Sequence, residues 1–432
     1  MKLLSLSVWL GLLLAGVSYA APASPALGNG NDTVFGPVND ALVARAVLEK
    51  REVFFSCSDQ RFSVHLTQAI HDAREIISNA VDHLELAISL YNEDGSGRLK
   101  ESKDEKSKRT FDEHNAFITY SQFISQLRWT DPKAAAKDKA GLQKIKGTRD
   151  LAKSLVKQYD NYIAGQSVPW LRDGIPYVRI YCNEEEYLSA QDSQGRTYAE
   201  AHPGEQNWLN TQLGTMYQLL ETEGFEMNRK EVWVPRKDVC PLRRGPTHYR
   251  FGLVPARQGI KAYVSHPRMG LVEETMTFCP AEFERWIAFN DDRIAQGIHY
   301  RDLHVKIGED PSERQIQAID TLLASPEVNA EIGFSRGMMW LGNFLTATMI
   351  HESTHSQAFV GGQNTLIDVQ CDGGIVSTDV QCMRKIASGE EGAKDGDPQG
   401  HRDAEMFSAY AMAMYTNAVF WYRYKMPRER DI

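Results

Sequence analysis

The longest regular pattern of apolar positions lies within residues 64–91. There Leu66, Ala69, Ile70, Ala73, Ile76, Ile77, Ala80, Val81 and Leu84 recur three and four residues apart. That spacing predicts one amphipathic helix with a wide apolar face. His65, His71 and His83 lie among these positions and are expected on a solvated helix surface rather than as metal ligands. Residues 92–110 open with Asn92, Glu93, Asp94 and Gly95 and stay polar, which predicts a loop. Residues 133–146 are rich in Ala and Lys and read as an exposed helix or mobile insertion with a solvated charged face. Residues 178–182 read as a strand and 208–220 as a helix. Between Val232 and Thr277, short β-type runs such as 249–254 and 260–264 are separated by Pro and Gly, which predicts a small sheet. Residues 276–283 read as a strand running into a helix start. Asp310 and Pro311 suit the cap and first position of a helix that ends near Ala324.

An apolar run near the C-terminal end, 338–350, leads directly into His351-Glu352-Ser353-Thr354-His355. On a helix, positions four apart lie one above the other, so both imidazoles share a face and can reach one Zn²⁺. Glu352 projects to one side, where it can take a proton from a metal-activated water without ligating the ion. A catalytic zinc needs a third protein ligand and an open position. A third His ten residues after the first is absent, because Gly361 stands there. Downstream acids include Asp368, Asp372, Asp379, Glu390, Glu391, Asp403 and Glu405, and the chemistry of the side chains does not choose among them.

Composition narrows the class. At 432 residues the chain can bury a large core, and its net charge of −9 argues against a general nucleic-acid binder. Residues 1–20 read as a signal peptide: Lys2, an apolar core, then small residues. Residues 21–51 read as a pro-segment closing at the dibasic Lys50-Arg51, with a glycosylation sequon at Asn31-Asp32-Thr33. The mature chain is then expected over 52–432, secreted and extracellular, with no membrane span. Its six cysteines permit three disulfides, and Cys371 with Cys382, close in sequence, is the expected pair.

Around the metal motif the chain resembles the aspzincin, or deuterolysin-like, metallopeptidases. Three features carry the likeness: His351-Glu352-Ser353-Thr354-His355, the acid Asp368 beyond it, and Asp403-Ala404-Glu405-Met406-Phe407, which is similar to the family's Asn-Ala-Asp-x-Tyr segment. The likeness covers about residues 337–415. It implies an α+β, zincin-like metallopeptidase fold, mostly helical with a small sheet, with residues of about 92–250 as a large insertion. It further implies a monomeric zinc endopeptidase acting on protein or peptide substrates, with His351, His355 and Asp368 as ligands and Glu352 as general base. Glu405 is the alternative third ligand. The family's Tyr-Gly after the third ligand is replaced by Cys371 and Asp372; Tyr410 and Tyr415 are candidates for the lost tyrosine, and a packed helix position is the expected place for each. That change also leaves a rival expectation, a secreted binding or effector protein on a degenerate metallopeptidase fold.

Overall fold

A computed structural model describes residues 54–98, 111–127, 138–164, 177–204, 261–324, 340–390 and 400–421, short gaps apart, together with 215–218, 231–234 and Cys240. All of them fall in one compact unit, Ala41–Ile432. The expected signal peptide and pro-segment, the sequon and the β-type run at 249–254 lie outside the described residues.

The organising element is α1, Gln60–Ser89, a helix capped by the Asp59 side chain, which accepts from the Arg61 N–H. Its buried face is the apolar stripe of Leu66, Ala69, Ile70, Ala73, Ile76, Ile77, Ala80 and Leu84. His83 departs from expectation: it is fully buried, with Nδ1 3.0 Å from the Asn79 carbonyl and Nε2 without a partner. The apolar arc is wide enough to draw in this ring, and burial pushes its pKa down.

α2 (Phe111–Phe123) and α3 (Lys139–Ile163) pack against α1. Within the Ala/Lys stretch expected at the surface, residues 139–146 form the first part of α3, which turns Leu142, Ile145, Ala152, Leu155 and Tyr159 into the core. A fourteen-residue window at its start hid a stripe that declares itself only over the full helix.

The main sheet has the order β1 (Phe54–Phe55), β2 (Tyr177–Tyr181), β7 (Glu273–Phe278), β6 (Ala262–Ser265). β1 and β7 run parallel to β2, whereas β6 runs antiparallel to β7 at the edge. A second, antiparallel sheet joins β3 (Leu188–Ser189), β4 (Thr215–Gln218) and β5 (Glu231–Val234). Within the helix expected over 208–220, the described residues 215–218 form β4 instead: Thr215, Met216 and Tyr217 suit a pleated strand once β5 lies opposite. The single small sheet expected over the middle of the chain is thus divided between two.

α4 (Pro280–Gln296) starts directly after β7 with Pro at its first turn, as expected. α5 (Glu313–Ala324) ends where expected but opens two residues late, because Ser312 and Gln315 bond each other reciprocally at the start of the helix. α6 (Leu345–His355) and the short α7 (Gln357–Val360) follow. The apolar run before the motif is not one helix: Gly342 and Asn343 make a turn, and α6 begins after Phe344. The chain closes with the hairpin β8 (Gln370–Cys371) and β9 (Ile375–Val376), then α8 (Val380–Ser388) and α9 (Ala404–Tyr415). α6 and α9 both pack on α1 and on each other.

The six cysteines pair as Cys57–Cys182, Cys240–Cys279 and Cys371–Cys382. The last is the pair expected from proximity, and its 11-residue separation corresponds to a contribution of about 3 kcal/mol from the restrained unfolded chain. Cys57–Cys182 joins the ends of the parallel pair β1–β2. Among the described residues, no helix is long and apolar enough to cross a membrane. The whole is an α+β architecture in which helices dominate.

Candidate metal centre

Along α6 every residue is buried except His351 and His355, so the helix opens to its surroundings only through the two imidazoles. They face the chain segment that carries Asp368. The two Nε2 atoms stand 3.1 Å apart, and Asp368 Oδ1 lies 3.4 Å from His351 Nε2 and 3.2 Å from His355 Nε2. Donor atoms around a tetrahedral divalent ion with bonds of about 2.0–2.1 Å are separated by about 3.3 Å. The triangle of two nitrogens and one oxygen therefore fits such an ion, with the fourth direction left for a water or substrate. Among the described residues this is the group that could hold a metal.

The opposite ring nitrogens are also specified. His355 Nδ1 donates to the Leu366 carbonyl at 3.0 Å, which fixes the tautomer that leaves Nε2 bare toward the triangle. His351 Nδ1 lies 2.9 Å from Glu405 Oε2, a close electrostatic contact whose N–H is angled away from an ideal hydrogen bond. Glu405, the alternative ligand, thus sits behind His351 rather than in the triangle. Sequence spacing carries no signal for this, because the side of an imidazole that an acid meets depends on how two helices pack.

Asp368 is the exposed member, its side chain 56% accessible, and its place comes from the backbone on either side. The Leu366 N–H donates to the Thr354 carbonyl at 2.9 Å, which ties the segment to the metal helix. Ile367 pairs with the start of α9: its N–H donates to the Arg402 carbonyl, and its carbonyl accepts from Ala404 N–H. The Val369 N–H donates to Asp403 Oδ2 at 2.7 Å, and Asp403 Oδ1 accepts from Met406 N–H as the cap of α9.

Glu352 is 5% exposed, with Oε1 4.0 Å from His351 Nε2. It borders the triangle without entering it. Burial pushes its pKa up, the two imidazoles pull it down, and Asp368 and Glu405 add to the rise. Burial pulls His351 down, yet the Glu405 carboxylate, then Glu352 and Asp368, hold it up at about 10. For His355 the downward pull of burial is likewise outweighed, chiefly by Asp368. Burial raises Asp368 and Glu405, but the adjoining imidazoles leave both carboxyls below their ordinary values.

These shifts give a test of metal uptake. A protonated imidazole cannot ligate, and His351 with a raised pKa keeps its proton at neutral pH. An entering ion must displace that proton, so affinity rises with pH throughout the range below the raised pKa. Titration with Zn²⁺ between about pH 6 and pH 9 should show tightening, and calorimetry in buffers of different ionisation heats should count roughly one released proton per ion. Uptake that is independent of pH and releases no proton would contradict this protonation pattern.

Several residues that hold the site carry no motif. Glu274, fully buried on β7, accepts from Ser356 Oγ at 2.6 Å, Gln357 N–H at 2.9 Å and Ala358 N–H at 3.0 Å. It pins the chain where α6 passes into α7. Tyr159 of α3 donates to Ser353 Oγ at 2.5 Å, and Ser353 donates to the Met349 carbonyl. Ser408 of α9 donates to the Ala347 carbonyl at 2.8 Å. Tyr410 is packed edge-on against Tyr120 with its hydroxyl unpartnered, and the Tyr415 hydroxyl donates to Glu75. Both are packed helix residues, engaged away from the triangle. Compared with protein families, curated proteins and solved structures, the chain matches none of them.

Proposed function

We propose that this protein is a secreted zinc endopeptidase of zincin-like fold, a diverged member of the aspzincin kind. The observation that carries the reading is the pairing of two functions on adjacent residues of one helix. His351 and His355 complete a donor triangle with Asp368, while Glu352 is buried beside it and left out of it. Two imidazoles and one carboxylate in a tetrahedral arrangement suit zinc better than the oxygen-loving Ca²⁺ or Mg²⁺. Bound there, zinc would supply Lewis acidity to the scissile carbonyl and lower the pKa of the attacking water.

The remaining work belongs to the chain. Glu352, whose carboxyl burial holds above its ordinary value, accepts the proton of the attacking water and then delivers it to the leaving amine. Glu405 and the Leu366 carbonyl hold the two imidazoles in their ligating orientation. β6, the edge strand of the main sheet, lies against α6. An extended peptide added along such an edge would be held by its backbone, which suits cleavage within a chain. The three disulfides suit an oxidising compartment, in line with the signal sequence expected at 1–20.

The test is cleavage of an unstructured protein substrate with and without a chelator. Hydrolysis should vanish on chelation and return with added Zn²⁺. Zinc bound at one site per chain with no hydrolysis of any protein substrate would instead support the binding or effector reading.

A further inference from the structure

We infer that Asp403 is a positioning residue for the metal centre, a clamp that sets the third ligand through the backbone. This rests on Asp368 being that ligand. The fully buried Asp403 carboxylate serves two purposes at once: Oδ1 caps α9 at the Met406 N–H, 2.8 Å away, and Oδ2 takes the Val369 N–H at 2.7 Å. Asp368 is the residue between two fixed points, because Ile367 is bridged to Asp403 and Val369 is bonded to its side chain. With its side chain 56% exposed, Asp368 has little packing of its own to hold it at 3.2–3.4 Å from the two imidazoles. The backbone anchors supply that constraint, and they originate at the start of the helix whose second residue, Glu405, backs His351.

The local sequence supports such close docking. Gly400 offers its carbonyl to the Asp403 N–H, and a Cβ at Gly400 would meet the Ile124 carbonyl oxygen at 2.1 Å. Only glycine lets the turn before Asp403 sit this close to the end of α2. The cap, the clamp and the orienting acid thus belong to one closely docked segment.

Asp403→Asn separates the two duties. An amide has a single acceptor oxygen, so it can cap α9 or take the Val369 N–H, but it presents an N–H₂ donor to the other amide. Zn²⁺ dissociation constants should be measured by competition with a chromophoric chelator for wild type, Asp403→Asn, Asp368→Ala and the double variant. Asp59→Ala, which loses the cap of a different helix, α1, controls for general loss of a helix cap. Asp403→Asn should weaken zinc by about 10–100-fold, while Asp59→Ala should leave it unchanged. In the Asp368→Ala background the Asn change should cost little further, since the clamp then holds no ligand.

Full additivity would overturn the inference, because a loss of negative charge or of helix stability would persist without Asp368. Asp368→Ala weakening zinc while Asp403→Asn does not would overturn the clamp and leave the ligand assignment standing. Asp368→Ala leaving zinc affinity intact would remove both.

Discussion

Glu352→Gln should leave zinc content unchanged and lower the turnover of a protein substrate by about 10²–10⁴-fold. The amide keeps the shape of the side chain but cannot accept a proton from water. Glu352 is 5% exposed and stands outside the donor triangle, so the change disturbs neither packing nor ligation. It also removes a buried group whose charged form is disfavoured there, so thermal stability should hold or rise slightly. Metal analysis after dialysis, a melting curve and a turnover measurement on the same preparation separate the three effects. A variant that keeps both its zinc and its hydrolysis would remove Glu352 as the base, and with it the peptidase mechanism proposed above.

The residues differ in how openly the sequence announces them. His351 and His355 are legible because ligation demands a fixed helical spacing, and α1 is legible because a buried helix must repeat its apolar face. Cys371–Cys382 follows from short separation. Glu274 is silent for a physical reason: it is an acid on a strand, which reads as solvent-facing, yet it is fully buried because the Gln357 and Ala358 amides and the Ser356 hydroxyl compensate its charge. The choice between Asp368 and Glu405 is silent as well. Both lie downstream in segments of comparable character, and only the packing of α9 on α6 places one acid at Nε2 and the other at Nδ1 of the same ring. The misread strand at 215–218 shows the same limit, since its partner β5 lies more than a dozen residues away in sequence. In each case the deciding contact is non-local.

The ligand set itself gives the second large effect. His351→Ala, His355→Ala and Asp368→Ala should each strip the metal under dialysis against a chelator, whereas Glu405→Ala should weaken binding by only about 10–100-fold. The distinction follows from geometry: the first three remove a corner of the triangle, and the fourth removes the carboxylate 2.9 Å behind His351. Asp368→Ala is the cleanest of the four, because its side chain is 56% exposed and its loss leaves no buried cavity. His355→Ala also frees the Leu366 carbonyl, so part of its effect will register as lower stability of the metal-free chain. Zinc per chain by elemental analysis, read beside melting temperatures of the metal-free proteins, resolves ligation from folding. If Glu405→Ala loses the ion and Asp368→Ala keeps it, the third ligand is the glutamate, and Asp368 is an exposed acid that happens to lie 3.2 Å from an imidazole.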